Sequence, residues 1–518
     1  VFALVGGVAS TRVAIDAVAD VTNVQVTVLT TAPGLSPAEV EQYITYPLEA
    51  NLNGMPGVAE IRSVSRTAIS SITVIFNDET DIWFARQLVS ERLRLAEADI
   101  PPEYGRPELA PVSTGLGEIF EFYVESPDGK HSAMELRSLL DWQIAYKLRS
   151  VPGVIEVNAM GGEAKQYQVV LNPKLLASYK LTLAAIYDTL RRNNANIGGG
   201  YIEKTGESYV IRGEAQYRNP ADIGNTVVAT DASGTPVLLR QLAEVRTGPA
   251  LRFGAVTMHG KGEIVAGTVM MLIGQNSREV VSAVKTKLDE IRKDLPPGVR
   301  IASYYDRSEF IGRMLKTVFI NLGEGAALVV VVLFVTLGTL RGSLAAALAI
   351  PLAMGFAVLG MLRLGVVGNL MSLGAIDFGL LVDGAIVMLE VTLAALAHKA
   401  ATAPEGKVDV PRTVADAMGQ AARPVTFSVA IILLVYLPLM ALEGVEGRMF
   451  KPMAITVALA LFGALVFSLL IFPALAATLL RAPKVDGGGH GGGVWGRLRT
   501  WYEGSLRWAL GRPALVLG

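Results

Sequence analysis

Three acidic residues lie within a run of apolar residues that is long enough to cross a membrane. The run Met371–Glu390, MSLGAIDFGLLVDGAIVMLE, contains Asp377, Asp383 and Glu390. A spanning helix needs about 20 mostly apolar residues, and an acid near its centre costs at least about 2.5 kcal/mol on insertion scales. Because packing alone does not explain three such residues, we expect them to carry a function.

The spacing of the acids indicates how they are arranged. Asp383 and Glu390 are seven residues apart, so an α-helix places them on one face, two turns apart, whereas Asp377 lies about 120° around the helix from Asp383. Burial in an apolar environment favours the neutral form of a carboxylic acid, so its protonation can alternate at working pH. We therefore predict a proton relay. The alternatives are a static polar cavity or ion pairs with lysine or arginine on another helix.

The same stretch carries a family resemblance. Asp377-Phe-Gly, then Asp383-Gly-Ala, then Glu390 resembles the fourth-helix signature of the heavy-metal-efflux branch of resistance-nodulation-division (RND) transporters, especially the exporters of zinc, cobalt and cadmium. Those members usually have asparagine after the glutamate, where this chain has Val391. The resemblance implies the N-terminal half of a bacterial inner-membrane pump. It also implies a homotrimer that works with a periplasmic adaptor protein and an outer-membrane channel.

Composition indicates a hybrid of soluble and membrane parts. The 518 residues are 51% hydrophobic, with a formal net charge of −1 and a mean hydropathy of +0.42. A near-neutral charge gives no support for nucleic-acid binding. The absence of cysteine excludes disulfides and thiolate metal sites, and four histidines are too few for a histidine-rich metal site.

Residues 11–320 are predicted to form a large soluble α+β region that contains an internal repeat. Met55-Pro-Gly-Val-Ala-Glu-Ile and Val151-Pro-Gly-Val-Ile-Glu-Val are 96 residues apart, and each follows a predicted helix. Each leads through a turn to a hydrophobic strand that ends in asparagine, at Asn77 and at Asn172. This pattern indicates two split βαβ units of the ferredoxin-like kind. Two unrelated α+β domains on a membrane anchor are the alternative.

The second unit is predicted to be interrupted by an insertion. The unit is completed by strand Glu263–Leu272, helix Ser277–Asp294 and strand Arg300–Tyr305, with Lys174–Pro249 inserted before them, as the RND resemblance also implies. The predicted organisation is the end of a first transmembrane helix at 1–10, a first porter subdomain at 11–113, a second at 114–163 and 250–315, a docking subdomain at 164–249, transmembrane helices two to six at 316–480, a cytoplasmic linker with an interfacial helix at 481–513, and the start of a seventh transmembrane helix at 514–518.

Five membrane spans are predicted in the second half of the chain. In the short loops, eleven lysines and arginines fall on one side and three on the other, which places the first set in the cytoplasm and residues 11–320 in the periplasm. Apolar runs at both ends are interpreted as interrupted membrane helices, so the chain is expected to be about half of a longer protein. The predicted spans are Gly325–Leu340, Ser343–Leu362, Leu370–Leu396, Val425–Leu442 and Pro452–Leu480.

Glu118 is the candidate metal ligand. It follows Pro111-Val-Ser-Thr-Gly-Leu-Gly, at the junction of the two units, where a cleft between them is expected to open. The zinc-type members that the chain resembles also have glutamate after Thr-Gly-Leu-Gly, and a carboxylate is a hard ligand that suits Zn²⁺ or Co²⁺ better than Cu⁺. Strand alternation predicts that Glu121 points to the other face. A solvated strand acid is the alternative interpretation of Glu118.

The buried acids together with the RND resemblance imply a proton-driven secondary transporter, not an enzyme, that exports a divalent metal, with zinc first and cobalt or cadmium next. The metal is the transported substrate, and no resident cofactor is expected. A multidrug exporter would need a large aromatic-lined pocket, but aromatic residues make up 7% of the chain. An intramembrane aspartyl protease needs aspartates on two helices, and a scaffold protein needs no buried acids. Copper or silver export would use thioethers, available at Met258, Met270, Met271, Met388 and Met440.

Overall fold

The chain divides into two compact units, which are described separately. The sheet unit is Thr22–Ile311, and the membrane unit is Gly312–Gly518 with Val1–Val21. The predicted helix ends at 1–10 and 514–518 and the glycine-rich part of the linker lie outside the described residues. The computed structural model describes residues 15–16, 18–230, 234–252, 254–258, 260, 262–337, 339–402, 408–481 and 494–512.

The first half of the sheet unit is an antiparallel sheet with helices on one face. Its elements are β1 (Gln25–Thr31), α1 (Pro37–Val40), a π-helical turn (Glu41–Thr45), α2 (Tyr46–Leu52), β2 (Val58–Arg66), β3 (Ile69–Phe76), α3 (Ile82–Ala96), two 3₁₀ turns (Glu97–Asp99 and Pro102–Tyr104) and β4 (Pro107–Leu109). The strand order is β2-β3-β1-β4. Val26 and Val28 alternate inward along β1 and pack with Val40, Ile44 and Leu48 of the helical segment. A sheet with one covered face requires this alternation.

The second half of the sheet unit is a similar sheet that contains a long insertion. Before the insertion come β5 (Glu118–Glu125), α4 (Ala133–Leu139), a π-helical turn (Leu140–Ile144), α5 (Ala145–Leu148) and β6 (Val154–Gly161). The insertion contributes β7 (Lys165–Leu171), α6 (Pro173–Ser178), α7 (Leu183–Asn193), β8 (Ile197–Lys204), β9 (Glu207–Gly213), α8 (Pro220–Gly224), β10 (Val227–Thr230), β11 (Pro236–Leu238), a 3₁₀ turn (Leu239–Gln241) and β12 (Ala243–Pro249). The sheet is completed by β13 (Val265–Met271), α9 (Ser277–Lys293) and β14 (Arg300–Asp306).

Both sheets have the ferredoxin-like strand order. The second sheet has the order β14-β5-β13-β6, so in each half the first strand lies between the third and the fourth, and the second strand lies at an edge. The helical segments before the two Pro-Gly-Val sequences also share a five-residue π-helical turn, at Glu41–Thr45 and at Leu140–Ile144. The predicted α+β class with split βαβ repeats is confirmed.

The predicted strand Glu263–Leu272 completes the second unit as β13, but the strand that ends at Asn172 differs from what the repeat predicts. The hydrophobic strand before Asn172, β7, pairs with β12 in a separate two-stranded sheet. Its expected place between the first and second strands is taken by β13, which pairs with both β5 and β6. Six of the seven residues of β13 are buried, whereas none of β7 is. Since an inner strand beneath covering helices needs the more apolar segment, β13 occupies that position.

The membrane unit consists of long apolar helices. Its elements are α10 (Arg307–Leu337), which begins in the sheet unit, α11 (Leu340–Ala347), α12 (Ala349–Leu364), α13 (Leu370–Gly374), α14 (Phe378–Thr402), α15 (Val410–Met440), α16 (Gly444–Val466), a π-helical turn (Phe467–Ile471), α17 (Phe472–Leu479) and α18 (Val494–Leu510). Five stretches of the described residues are long and apolar enough to cross a membrane: Arg307–Thr336, Leu340–Leu364, Leu370–Thr402, Val410–Met440 and Gly444–Leu479. Two begin well before the predicted Gly325 and Val425, because hydropathy detects the apolar part of a helix and misses a polar extension.

Candidate functional site

Helix α14 has one buried and one uncovered face. Asp383, Val387, Glu390 and Ala394 are exposed at helical spacing and form what we call the acidic face. As the spacing predicts, Asp383 and Glu390 lie on the same side of the helix. The opposite side packs into the helix cores through Leu381, Val382, Ala385, Met388 and Leu389.

The two carboxylates of the acidic face are not used to hold the described helices together. Within the part of the chain that the structure describes, neither Asp383 nor Glu390 forms a hydrogen bond or an ion pair, in contrast to Lys399 and Asp416, whose charged groups are 3.7 Å apart. A carboxylate that faces hydrocarbon is strongly disfavoured. The acidic face is therefore suited to lie against a polar pathway or other protein surface rather than lipid.

Asp377 differs from the other two acids because the helix is interrupted beside it. The sequence interpretation places all three acids on one helix, which is wrong for Asp377: α13 ends at Gly374 and α14 begins at Phe378. The backbone N–H of Gly379 donates to Asp377 Oδ1 at 2.8 Å, which is the contact of an N-cap aspartate. The predicted angle of about 120° between Asp377 and Asp383 therefore does not apply.

One glycine of this stretch permits close helix packing. A Cβ atom on Gly384 would lie 3.0 Å from Ser468 Oγ and 3.2 Å from Val425 Cγ1, whereas one on Gly374 would have no neighbour within 4 Å. Small residues of this kind let membrane helices approach each other. Gly384 thus brings the buried face of α14 against α15 and the π-helical turn, which leaves the acidic face on the outside.

In the sheet unit, Glu118 lies at the start of β5, next to an irregularity in the strand. Phe120 pairs with Val269 and Glu118 with Met270, so Ile119 is the extra residue of a β-bulge. Ile119 and Phe120 are both buried in the same core. The bulge shifts the alternation, and the prediction that Glu121 points away from Glu118 is wrong. The adjacent apolar pair Ile119-Phe120 is the sequence signal that could have revealed the bulge.

The carboxylates of Glu118 and Glu121 both affect the pKa of the Tyr304 phenol, which lies on the neighbouring strand β14. Burial, a hydrogen bond to Glu121 and the negative charges of Glu121 and Glu118 raise the pKa of Tyr304 to about 12. We call Glu118 and Glu121 the acidic pair. Among the described residues, no group of three or more histidine, aspartate or glutamate side chains could hold a metal ion by itself. The acidic pair could therefore supply only part of the four ligands that Zn²⁺ usually has.

A small cavity lies near the predicted junction of the two porter units. Its volume is about 90 Å³, and its lining includes Thr22, Arg86, Val112, Thr114 and Ile273. Glu118 does not line this cavity. The cavity and the acidic pair are therefore separate features of the sheet unit.

Comparison with known proteins gives consistent matches over the whole chain. The sequence model of the AcrB/AcrD/AcrF family matches residues 1–518. The chain is 45% identical over 515 residues to the cation efflux system protein CzcA of Alcaligenes sp. (strain CT14), which covers 98% of this chain and 48% of that protein. It has the same identity and coverage with the cobalt-zinc-cadmium resistance protein CzcA of Cupriavidus metallidurans (strain ATCC 43123 / DSM 2839 / NBRC 102507 / CH34).

The fold is also similar to a solved structure. The X-ray crystal structure of a heavy metal efflux pump, crystal form II, superposes with a TM-score of 0.82 at 34% identity, covering 92% of this chain and 46% of that chain. The chain spans about half the length of the relatives that it matches. The sequence prediction is thereby confirmed: the chain belongs to the AcrB/AcrD/AcrF family and has the fold of the N-terminal half of an RND transporter of the heavy-metal-efflux branch.

Proposed function

We propose that the full-length protein exports divalent heavy-metal cations in exchange for protons, with Zn²⁺ as the first substrate and Co²⁺ or Cd²⁺ as further ones. The observation that carries this proposal is the acidic face of α14. Two carboxylates, Asp383 and Glu390, lie in a membrane-spanning helix on a face that the described helices leave uncovered. Acids in such positions are typical of proton pathways.

In this proposal Asp383 and Glu390 take up and release protons in turn. They are two helical turns apart, about 10 Å along the axis, so a proton would pass between them through water or a polar group on a facing helix. Asp377 would be the third relay acid, at the end of the helix where α14 begins. Each charge that crosses 100 mV releases about 2.3 kcal/mol, which supplies the driving force for export.

The acidic pair is the proposed place in this chain where the metal is bound. Glu118 and Glu121 provide oxygen ligands, which suit Zn²⁺ and Co²⁺. Further ligands would come from the remainder of the full-length protein. The relative named as a cobalt-zinc-cadmium resistance protein supports this choice of metals.

Two alternatives are less well supported by the geometry. Copper or silver export would use thioether ligands. Of the five candidate methionines, Met271 and Met388 are buried in hydrophobic cores, which is the usual role of methionine, whereas Met440 is exposed. An intramembrane aspartyl protease needs two aspartates that share one proton. Here Asp377 accepts a hydrogen bond at the start of α14, and Asp383 lies on a face of the same helix.

The proposal includes the cellular setting that the family implies. The transporter would lie in the bacterial inner membrane as a homotrimer surrounded by lipid, with the sheet unit in the periplasm. There it would contact an adaptor protein and an outer-membrane channel, and the porter and docking subdomains would have the bounds predicted from the sequence. No role in nucleic-acid binding is proposed.

Growth on metal tests the proposal directly. Cells that lack their own exporters and carry the full-length protein are grown on graded zinc, cobalt, cadmium, copper and silver salts. We expect resistance to rise for zinc most, for cobalt or cadmium less, and for copper and silver not at all. Resistance to copper or silver alone would contradict the metal assignment, and resistance to none of the five would contradict metal export.

A further inference from the structure

A buried arginine stands at the start of the long helix α10. Only 3% of Arg307 is exposed, and a guanidinium is costly to bury unless it is hydrogen-bonded. Its Nη1 donates to the backbone oxygen of Leu116, 191 residues earlier in the chain. Arg307 therefore connects the first turn of α10 to the segment that leads into β5.

The segment bound by Arg307 is short and well defined. The N–H of Gly117 donates to the Thr114 backbone oxygen at 2.9 Å, and the N–H of Met271 donates to the Gly117 oxygen at 2.8 Å. A Cβ atom at Gly117 would lie 3.0 Å from the Thr114 backbone oxygen and 3.1 Å from Ser113 Cβ, so the turn packs tightly around this glycine. The carbonyl that Arg307 binds is two residues before Glu118, and only Gly117 lies between them.

The first turn of α10 is itself fixed on its other side. The N–H and the hydroxyl of Ser308 both donate to Asp306 Oδ1, at 2.8 Å and 2.6 Å. Asp306 also forms an ion pair with Lys285 of α9. Arg307 is thus held by a capped helix start, and α10 continues along the chain to Leu337.

We propose that Arg307 is a positioning residue for Glu118. By binding the Leu116 carbonyl, it ties the segment before Glu118 to the first turn of α10, so that a shift of this turn changes where the Glu118 carboxylate lies. This inference rests on the proposed function, in which Glu118 binds the transported cation. Removal of the Arg307 contact should weaken cation binding without removing any ligand.

A second arginine provides a matched control. Arg86 Nη1 donates to the backbone oxygen of Ala110 at 2.6 Å, on the same connecting segment but eight residues before Glu118. Arg86 is half-buried and carries the same charge. If loss of any arginine contact to this segment could displace Glu118, then replacing Arg86 and replacing Arg307 would weaken cation binding equally.

Zinc binding by the full-length transporter tests the proposal. Isothermal titration with Zn²⁺ compares wild type, Arg307→Met, Arg307→Lys and Arg86→Met. We expect Arg307→Met to weaken binding by about tenfold, the scale of lost support to a metal ligand. Arg307→Lys, which keeps the charge and a donor, should recover most of the affinity, and Arg86→Met should stay close to wild type. Equal effects of Arg307→Met and Arg86→Met, or none for Arg307→Met, would overturn it.

The double variant Glu118→Gln with Arg307→Met separates positioning from general damage. If Arg307 acts through Glu118, the second substitution should add little to the loss caused by Glu118→Gln, because coupled residues are not additive. Full additivity would overturn the proposal. If Glu118→Gln alone leaves zinc binding unchanged, the proposed metal role of Glu118 is wrong. The hydrogen bond between Arg307 and the Leu116 carbonyl is then tested by a measurement that needs no metal.

The metal-free measurement uses the absence of cysteine from these 518 residues. Gly115 is exposed, and a Cβ atom there would lie 3.7 Å from Thr22 Oγ1, an ordinary contact. The rate at which a thiol reagent modifies Gly115→Cys reports the mobility of the segment. We expect this rate to rise several-fold when Arg307→Met is added and to change little with Arg307→Lys. An unchanged rate with Arg307→Met would show that Arg307 does not hold the segment, whatever Glu118 binds.

Discussion

The acids of the membrane unit and those of the sheet unit are positioned in different ways. Asp383 and Glu390 lie on the regular helix α14, on a face that no described helix covers. Glu118 and Glu121 lie on a bulged strand, next to the phenol of Tyr304. The first pair is suited to exchange protons with a pathway, and the second to contribute oxygen ligands to a cation.

This difference shows how much local geometry decides what a carboxylate can do. In a helix, a spacing of seven residues returns a side chain to the same face wherever the helix lies. In a strand, one extra residue reverses the direction of every side chain beyond it. The helical pair is therefore robust to its surroundings, whereas the strand pair depends on the single bulge at Ile119.

The largest effect is expected for Asp383→Asn. Asparagine has the size of aspartate but cannot carry a proton between sites, so metal-dependent proton movement in proteoliposomes should fall to the level of empty liposomes. Asp416→Asn is the matched control, because Asp416 is exposed in the same unit and its nearest ion partner is Lys399; it should keep transport. If Asp383→Asn still moves protons with metal, the relay assignment is wrong.

The next effect concerns the acidic pair. Glu118→Gln should weaken Zn²⁺ binding by about tenfold in isothermal titration, while expression and assembly stay intact. Glu121→Gln should also weaken binding, because the bulge brings both carboxylates towards Tyr304. Glu125→Gln, at the far end of the same strand, serves as the control. Equal affinity in wild type and Glu118→Gln would remove Glu118 from the metal path.

A smaller effect separates the two roles of Asp377. Asp377→Ala should lower the free energy of unfolding by about 1 kcal/mol, because it removes the N-cap of α14. Asp377→Asn keeps a capping oxygen and should unfold at nearly the wild-type temperature. Both variants should impair proton coupling if Asp377 belongs to the relay. Thermal unfolding of the purified proteins checks the first part, and a stable Asp377→Ala would contradict the capping role.

The smallest expected effect is a change in the pKa of Tyr304. Its pKa is raised from 10.0 to about 12 by burial, by the hydrogen bond to Glu121 and by the charges of both glutamates. The stability that this group contributes is thus complete below pH 10.0 and is lost as the pH rises to about 12. Glu121→Gln should lower the pKa of Tyr304. The difference in ultraviolet titration against Tyr304→Phe measures it, and an unchanged midpoint would show that Glu121 does not contact the phenol.

The sequence by itself determined the features that depend on local periodicity. The apolar runs predict five membrane helices, and the spacing of Asp383 and Glu390 predicts their shared face. The repeated Met-Pro-Gly-Val and Val-Pro-Gly-Val segments predict two related α+β units. The apolar runs and the spacing of the acids each lie within a single helix, and each copy of the repeat is recognised from its own neighbouring residues.

Only the tertiary structure decided which elements meet. It paired β7, which the repeat predicted to be the counterpart of the strand before Asn77, with the distant strand β12 in a separate sheet. It placed Glu121 on the same side of β5 as Glu118, through a bulge that forms where β5 pairs with β13. It joined Arg307 to Leu116 across 191 residues. Such contacts form between segments far apart in the chain, and no local period encodes them.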